Sequence, residues 1–243
     1  MNLIRPSIFS DVRGVVAAVS TRSGGISPPP LDMNLSFSVG DDPENVLENR
    51  RRFFGGLSIE LQELAIPRQV HSATVRRVHE PGTYPDCDAL ITNARRLFLC
   101  VTVADCIPIL LYSPDVQAVA SVHAGWRGTV SRIASVAVET MIREYSCVPD
   151  QMLAYLGPAA GACCYTVGVD VALQFNAQFL HQNSSGATVD LKAANVAQLQ
   201  DSGIPPQNIE VSQYCTISEG SLLHSYRRDR DLSGRMMGVI GLL

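Results

Sequence analysis

The sequence is poor in several things, and each shortage closes off a class of protein. Only 6% of its 243 residues are aromatic, with a single tryptophan, and only 17% are charged. A formal net charge of -4 leaves no excess of lysine and arginine for a broad nucleic-acid surface, so an anionic ligand would have to be recognised by a local basic pocket. No apolar run is long enough to span a bilayer, and the opening MNLIRPSIFSDVRG lacks the basic start and apolar core of a secretory signal. The expectation is a cytoplasmic protein that engages neither membrane nor nucleic acid. No linker rich in Pro, Ser or Gly, no charge run and no internal repeat divides the chain, which predicts one domain over residues 1–243. Seven cysteines is an odd number, no CxxC occurs, and Cys163 and Cys164 are adjacent. That pattern suits free thiols in a reducing compartment better than a disulfide framework, with most of the cysteines serving as small core residues.

What is present is ample apolar sequence, 46% of residues, cut into short runs. GVVAAVST reads as an early strand, followed by TRSGGISPPP, a loop rich in Gly and Pro that carries Arg22. In DDPENVLENRRRFFGGL, Asp42 is placed to cap a helix, Pro43 to occupy its first position, Glu44 its first turn, and Gly55-Gly56 its end. Strands are expected over 66–78, 97–103, 107–112 and 117–123, in MLAYLGP, and over 208–212 and 234–242. Helices are expected over 130–145, 168–181 and 190–202. This order is neither a regular βα alternation nor all-β, and it predicts a single α/β or α+β domain with mixed sheets.

The chemistry gathers where apolar runs end. AVASVHAGWRGTV carries a strand onto His123 and straight into a Gly-Trp-Arg-Gly turn; LFLCVTVADCIPILLY breaks at Asp105 and Cys106; IPRQVHSATV holds His71. Two imidazoles and one thiolate match the three protein ligands of a catalytic zinc, whose fourth position is left to water or substrate. The spacing lacks a short HxxxH or CxxC signature, so three satisfied core side chains read equally from these residues. A third reading needs no metal: Cys106 as a nucleophile activated by His123, with Asp105 or another polar group orienting the ring. The turn after His123 joins strand to helix, where backbone amides and Arg127 could approach an anion, or Trp126 could simply anchor a tight turn. In HSYRRDRD, Arg227 and Arg228 suit bidentate recognition of phosphate or carboxylate, or else pair with Asp229 and Asp231 on a solvated hairpin.

Taken in order, TRSGGISPPPLDMNLS, GDDPENVLENR, QVHSATV, CDALIT, VTVADCIPILLY, VHAGWRGTV, LGPAAGACCYTVG and HSYRRDRDLSGRMMGVIGL resemble the signature segments of the YfiH-like or laccase-domain family over nearly the whole chain. That family was formerly called multicopper polyphenol oxidases and is now associated with purine nucleoside phosphorylase activity. The resemblance implies a compact fold related to a toxin deamidase, and a zinc site made by His71, Cys106 and His123. It implies purine nucleosides and phosphate as substrates, with methylthioadenosine cleavage and adenosine deamination as further activities, in a monomer or weak homo-oligomer. For phosphorolysis the implied catalytic set is His71, Cys106, His123 and Arg227, with Arg22, Asn34, Arg68, Arg127 and Arg228 as substrate contacts. Copper is the alternative metal, which would make the protein a polyphenol oxidase; yet the five histidines contain no HxH pair, too few imidazoles for several coppers. The resemblance also marks departures: Cys87 stands where alanine is commoner, and His224 where an aromatic is.

Overall fold

The structure is a computed structural model that describes residues 2–183 and 186–243. In chain order its strands begin with β1 (Leu3–Ile4), β2 (Val15–Ser20), β3 (Leu64–Pro67), β4 (Val75–Arg77) and β5 (Gly82–Tyr84). The central ones are β6 (Ala89–Thr92), β7 (Phe98–Val103), β8 (Ile107–Ser113), β9 (Ala118–Ala124) and β10 (Leu153–Leu156). β11 (Leu180–Asn183), β12 (Gly186–Val189), β13 (Ile209–Val211) and β14 (Met236–Leu242) follow. The helices are α1 (Pro43–Gly55), α2 (Trp126–Val130), α3 (Ile133–Tyr145), α4 (Val169–Ala172), α5 (Leu191–Asp201) and α6 (Tyr226–Asp229).

Two six-stranded mixed sheets lie face to face, in the orders β1-β2-β14-β7-β3-β5 and β13-β10-β8-β9-β6-β4, beside a separate β11-β12 pair. Alternation along each strand sends neighbouring side chains to opposite faces. In β8, Leu110 and Tyr112 enter the layer between the sheets with Leu99 and Ile240, whereas Ile107, Ile109 and Leu111 face α3 and α5. On the far side of the first sheet, Ala18, Phe98, Cys100 and Val239 pack on Phe53 and Phe54 of α1. The result is an α/β/β/α sandwich. With both faces of both sheets covered, the central strands read as continuous apolar runs rather than alternating ones.

α1 forms as its sequence dictates, with the Asp42 carboxylate accepting from the Glu44 N–H and Pro43 opening the first turn. Three expected elements differ. The strand expected over 66–78 is two strands, β3 and β4, placed in different sheets. Between them residues 70–72 give their backbone N–H groups to the Asp88 carboxylate instead of to a ladder, so His71 stands on a loop with a positive φ of 61°. The helix expected over 130–145 begins earlier and breaks: α2 ends before Arg132, which adopts a left-handed conformation (φ 60°), and α3 follows. The helix expected over 168–181 is one turn, α4, then a 3-10 turn and the strand β11. Its apolar residues do not share one buried face: Phe175 and Leu180 pack on the core, whereas Val169 and Leu173 are 74% and 81% exposed.

Topology also creates one busy end of the sandwich. The short link from β7 to β8 crosses from the first sheet to the second, and Pro108 in β8 lies opposite His123 in β9. Met236, the first residue of β14, lies opposite Val103, the last of β7. The β7–β8 link, the end of β9, the start of β14 and the loop after β3 therefore meet at one rim.

Candidate metal centre and active site

Three of these connections converge on His71, Cys106 and His123, whose ligand atoms all lie within 4.8 Å of one another. The two imidazoles meet edge to face with ring centroids 4.9 Å apart. His123 is buried, Cys106 half-buried and His71 exposed, so the set opens from the sandwich toward solvent.

Asp88, fully buried just before β6, organises two of the three. One carboxylate oxygen accepts from the His71 N–H at 2.9 Å and pairs with His123 Nδ1 at 2.8 Å. The other accepts from the N–H groups of Val70 and Ser72 and from the Ser72 hydroxyl. Holding His123 through Nδ1 leaves Nε2 as the donor for a ligand, the carboxylate–histidine arrangement common at metal sites. Gln69 fastens the same loop to β7: its amide donates to the Thr102 carbonyl, while its carbonyl accepts from the Thr102 N–H and hydroxyl. Asp88, not Asp105, thus orients the imidazole. The Asp105 carboxylate is engaged elsewhere, accepting from the Thr216 hydroxyl and the Arg227 N–H at 2.6 Å each, and its backbone is left-handed with φ 87°.

The donor set suits a metal ion. Burial pushes the Cys106 thiol up, but the charge and hydrogen bonds of His123 and His71 outweigh it and bring it to about 6. Burial pushes His123 down, while the Cys106 thiolate and Asp88 raise it to about 9. Both shifts favour a thiolate beside an imidazolium, and an incoming metal would replace the imidazolium proton. Gly125 keeps the space open: a Cβ there would lie 2.9 Å from Cys106 Sγ and 3.2 Å from the His71 ring. Two histidines and a cysteinate around one position satisfy the ligand types and count of a catalytic zinc.

The set lies in the wall of a cavity of about 720 Å³, within the range of small-molecule sites. Its other walls bring four guanidinium groups, Arg127, Arg227, Arg230 and Arg235, together with the aromatic faces of Trp126, Tyr165 and Tyr226. Arg227 is held over the Tyr165 ring at 4.9 Å and donates from Nη1 to the Thr166 carbonyl. Arg127 lies over Trp126 at 4.4 Å. A chain of net charge -4 thus concentrates positive charge at one opening, as an anion site requires.

Of the arginines expected to contact substrate, Arg227 and Arg127 line this cavity and the others do not. Arg22 binds Asp32 at 2.6 Å and the carbonyls of Pro30 and Gly220, tying loops together. Arg228 pairs with Asp229, but on the short helix α6 and not on a solvated hairpin, and it is turned inward to donate to the carbonyls of Thr216, Ile217 and Leu223. Arg68 is exposed outside the cavity walls. Asn34 is buried and spends its amide on Ser36, Asp41 and the Arg235 N–H, so it seats Arg235 rather than lining the cavity. Sequence reasoning missed Asp88, Gln69, Arg230, Arg235, Tyr165 and Tyr226 as site residues. For Asp88 a signal existed, a carboxylate directly ahead of the apolar ALIT; Arg235 offers only its position before the last strand.

His224 is buried with neither ring nitrogen bonded, and burial together with the Arg22 charge brings it down to about 3. It fills space as a neutral ring. His79 and His181 are exposed. Among the described residues two groups of three His, Cys or acidic donors converge: the set above, and Cys163, Cys164 and Cys215.

Comparison with known proteins agrees with this architecture. The family described as multi-copper polyphenol oxidoreductase laccase matches residues 16–243. A Geobacillus stearothermophilus protein named purine nucleoside phosphorylase YlmD is 35% identical, over 94% of this chain and 90% of its own. A protein of an unknown prokaryotic organism, named adenosine deaminase RL5, is 36% identical over 93% of this chain and 90% of its own. The crystal structure of YlmD from Geobacillus stearothermophilus superposes with a TM-score of 0.93 at 34% identity, covering 100% of this chain and 96% of that one.

Proposed function

Because this chain belongs to the family described as multi-copper polyphenol oxidoreductase laccase, whose relatives include enzymes named for purine nucleoside chemistry, we propose that it is a purine nucleoside phosphorylase holding zinc through His71, Cys106 and His123. The observation that carries this reading is the joining, in one cavity, of a His2Cys donor set and four arginines. Phosphorolysis needs both a place for the phosphate monoanion or dianion and a polarising centre for a neutral nucleoside. When bound, zinc supplies Lewis-acid polarisation of an oxygen and can also serve adenosine deamination.

The chain's own residues do the rest. Arg227, fixed by Tyr165 and Thr166, presents the remaining edge of its guanidinium to phosphate; Arg127, Arg230 and Arg235 add charge around it. The phosphate oxygen forms a bond to the ribose anomeric carbon as the bond from that carbon to the base nitrogen breaks, and the electron pair leaves with the base. Cationic groups held in place by the fold stabilise this redistribution of charge without reorganising during the reaction. The faces of Trp126, Tyr165 and Tyr226 offer stacking surface for a purine. Methylthioadenosine, with its apolar sulfur substituent, and adenosine, inosine and guanosine are the substrates of this reading.

A copper reading draws on the family's description. The donors here suffice for one ion, and a mononuclear His2Cys copper would show an intense thiolate-to-copper absorption where zinc shows none. The test is chromatography of adenosine and inosine incubated with zinc-loaded protein, with and without phosphate, beside Cys106→Ala. Phosphate-dependent release of adenine and hypoxanthine, abolished in the variant, is expected. Inosine formed from adenosine without phosphate would place deamination first, and no turnover of either nucleoside would refute the proposal.

A further inference from the structure

The second thiol cluster lies outside this cavity's walls and takes no part in the chemistry above. Cys163 and Cys164 follow Gly161 in the loop after β10, and Cys215 comes from the segment after β13, 51 positions along the chain from Cys164. An isolated pairing of Ala159 with Cys215 brings the two segments side by side. The three Sγ atoms lie within 4.8 Å of one another, with Cys163 and Cys164 at 3.1 Å. For metal–sulfur bonds of about 2.3 Å, three sulfurs in a plane around one ion stand about 4.0 Å apart, which lies inside the 4.8 Å limit that holds these three.

We propose that Cys163, Cys164 and Cys215 form a second metal site, which takes a soft, thiophilic d10 cation through three thiolates. Three independent features support it. First, the Gly161 N–H donates to Cys215 Sγ at 3.2 Å, a bond that favours sulfur in its anionic form. Second, Gly161 is where the loop passes closest: a Cβ there would come within 3.3 Å of both Cys163 Sγ and Cys215 Sγ. Third, burial is graded from the enclosed Cys215 through Cys164 to the exposed Cys163, which gives an ion a path in. Cys163 lines a surface cavity of about 410 Å³ with His181 and Asp190. Lys192 donates to the carbonyls of Ser212 and Tyr214, just ahead of Cys215, and brings positive charge to offset three thiolates.

Soft ligands of this kind select monovalent copper and its d10 neighbours over hard cations. The other buried cysteines, Cys87, Cys100 and Cys147, belong to no such convergent group among the described residues.

Cadmium is the probe, because each thiolate it binds adds to a near-ultraviolet charge-transfer band. Full-length protein kept under reductant is incubated with excess Cd(II), desalted and assayed for cadmium per chain. Wild type is expected to retain one ion more than the variant with Cys163→Ser, Cys164→Ser and Cys215→Ser, and its band should be about four-fold stronger, from four thiolates against one. Cys106→Ala tests the first centre separately, since it should lose the other ion and keep this one. In case the triple variant does not fold, Cys163→Ser alone changes only the exposed rim and is expected to weaken retention against a chelator about ten-fold or more. Equal cadmium in wild type and triple variant, or unchanged retention in the rim variant, overturns the proposal.

Discussion

Replacing Asp88 by asparagine tests how the metal centre is assembled. All five partners of this carboxylate are donors: the N–H groups of Val70, His71 and Ser72, the Ser72 hydroxyl and His123 Nδ1. An amide has one acceptor oxygen. Whichever way it turns, its NH2 group confronts either the His71 N–H and His123, or Val70 and Ser72. With about two buried donors left unpaired at about 1–3 kcal/mol each, the fold loses about 2–6 kcal/mol, concentrated in the loop that carries His71. The charge gives an overlapping measure. Burial pushes Asp88 up, but its bonds to His123 and Ser72 win and hold it at about 2, below the ordinary 3.8. Its folded pKa is depressed, so its stabilisation is complete above the ordinary aspartate range and lost as pH falls from 3.8 toward about 2, amounting to about 2–3 kcal/mol. Asp88→Asn should therefore melt earlier at neutral pH, lose part of its acid-dependent destabilisation, and bind zinc about 10- to 100-fold more weakly in chelator competition. Wild-type zinc affinity in a folded Asp88→Asn protein would refute this account of the site.

Gly125→Ala should leave the chain folded but lower its zinc affinity, because the added methyl meets Cys106 and His71; circular dichroism with metal analysis checks both, and undiminished zinc would contradict the crowding argument. Arg227→Gln should raise the KM for phosphate about 10- to 150-fold, the equivalent of about 1.5–3 kcal/mol for a charge-assisted hydrogen bond, as measured by steady-state kinetics. Arg22→Gln should instead lower the melting temperature and leave that KM alone, since Arg22 is spent on Asp32 and two carbonyls. His224→Phe should leave metal content unchanged. Because the folded pKa of His224 is lowered to about 3, the unfolded chain binds the extra proton between its ordinary 6.5 and that value, so stability falls as pH drops through this window; melting curves of the Phe variant should show a shallower fall.

How much of this was legible in the sequence depends on whether a residue acts through its position or through its direction. α1 was readable because Asp42, Pro43 and Gly55-Gly56 are local punctuation. His71, Cys106 and His123 stood out at the ends or breaks of apolar runs, but it was the family resemblance, not their spacing, that made them a set. That His71 sits on a loop was hidden: the loop exists because a carboxylate 17 positions later captures its N–H groups. The arginines divide for the same reason. Arg227 and Arg228 are adjacent, yet one faces the cavity and the other is turned onto carbonyls of residues 216–223. Adjacency in a short helix says nothing about which does which. Arg235 reaches the cavity because β14 starts opposite the end of β7, a pairing of distant segments that no local pattern announces. The cysteines split likewise: Cys87, Cys100 and Cys147 are isolated core thiols, Cys106 joins two histidines, and Cys163, Cys164 and Cys215 converge.

In the proposed function the His2Cys centre and the arginines around it act together on a nucleoside and phosphate. Phosphorus-31 NMR of inosine and phosphate incubated with zinc-loaded protein tests it most directly, with Cys106→Ala in parallel. A ribose-1-phosphate resonance should grow in step with hypoxanthine in the wild type and be absent from the variant. Hypoxanthine without ribose-1-phosphate, or equal product from Cys106→Ala, would contradict it.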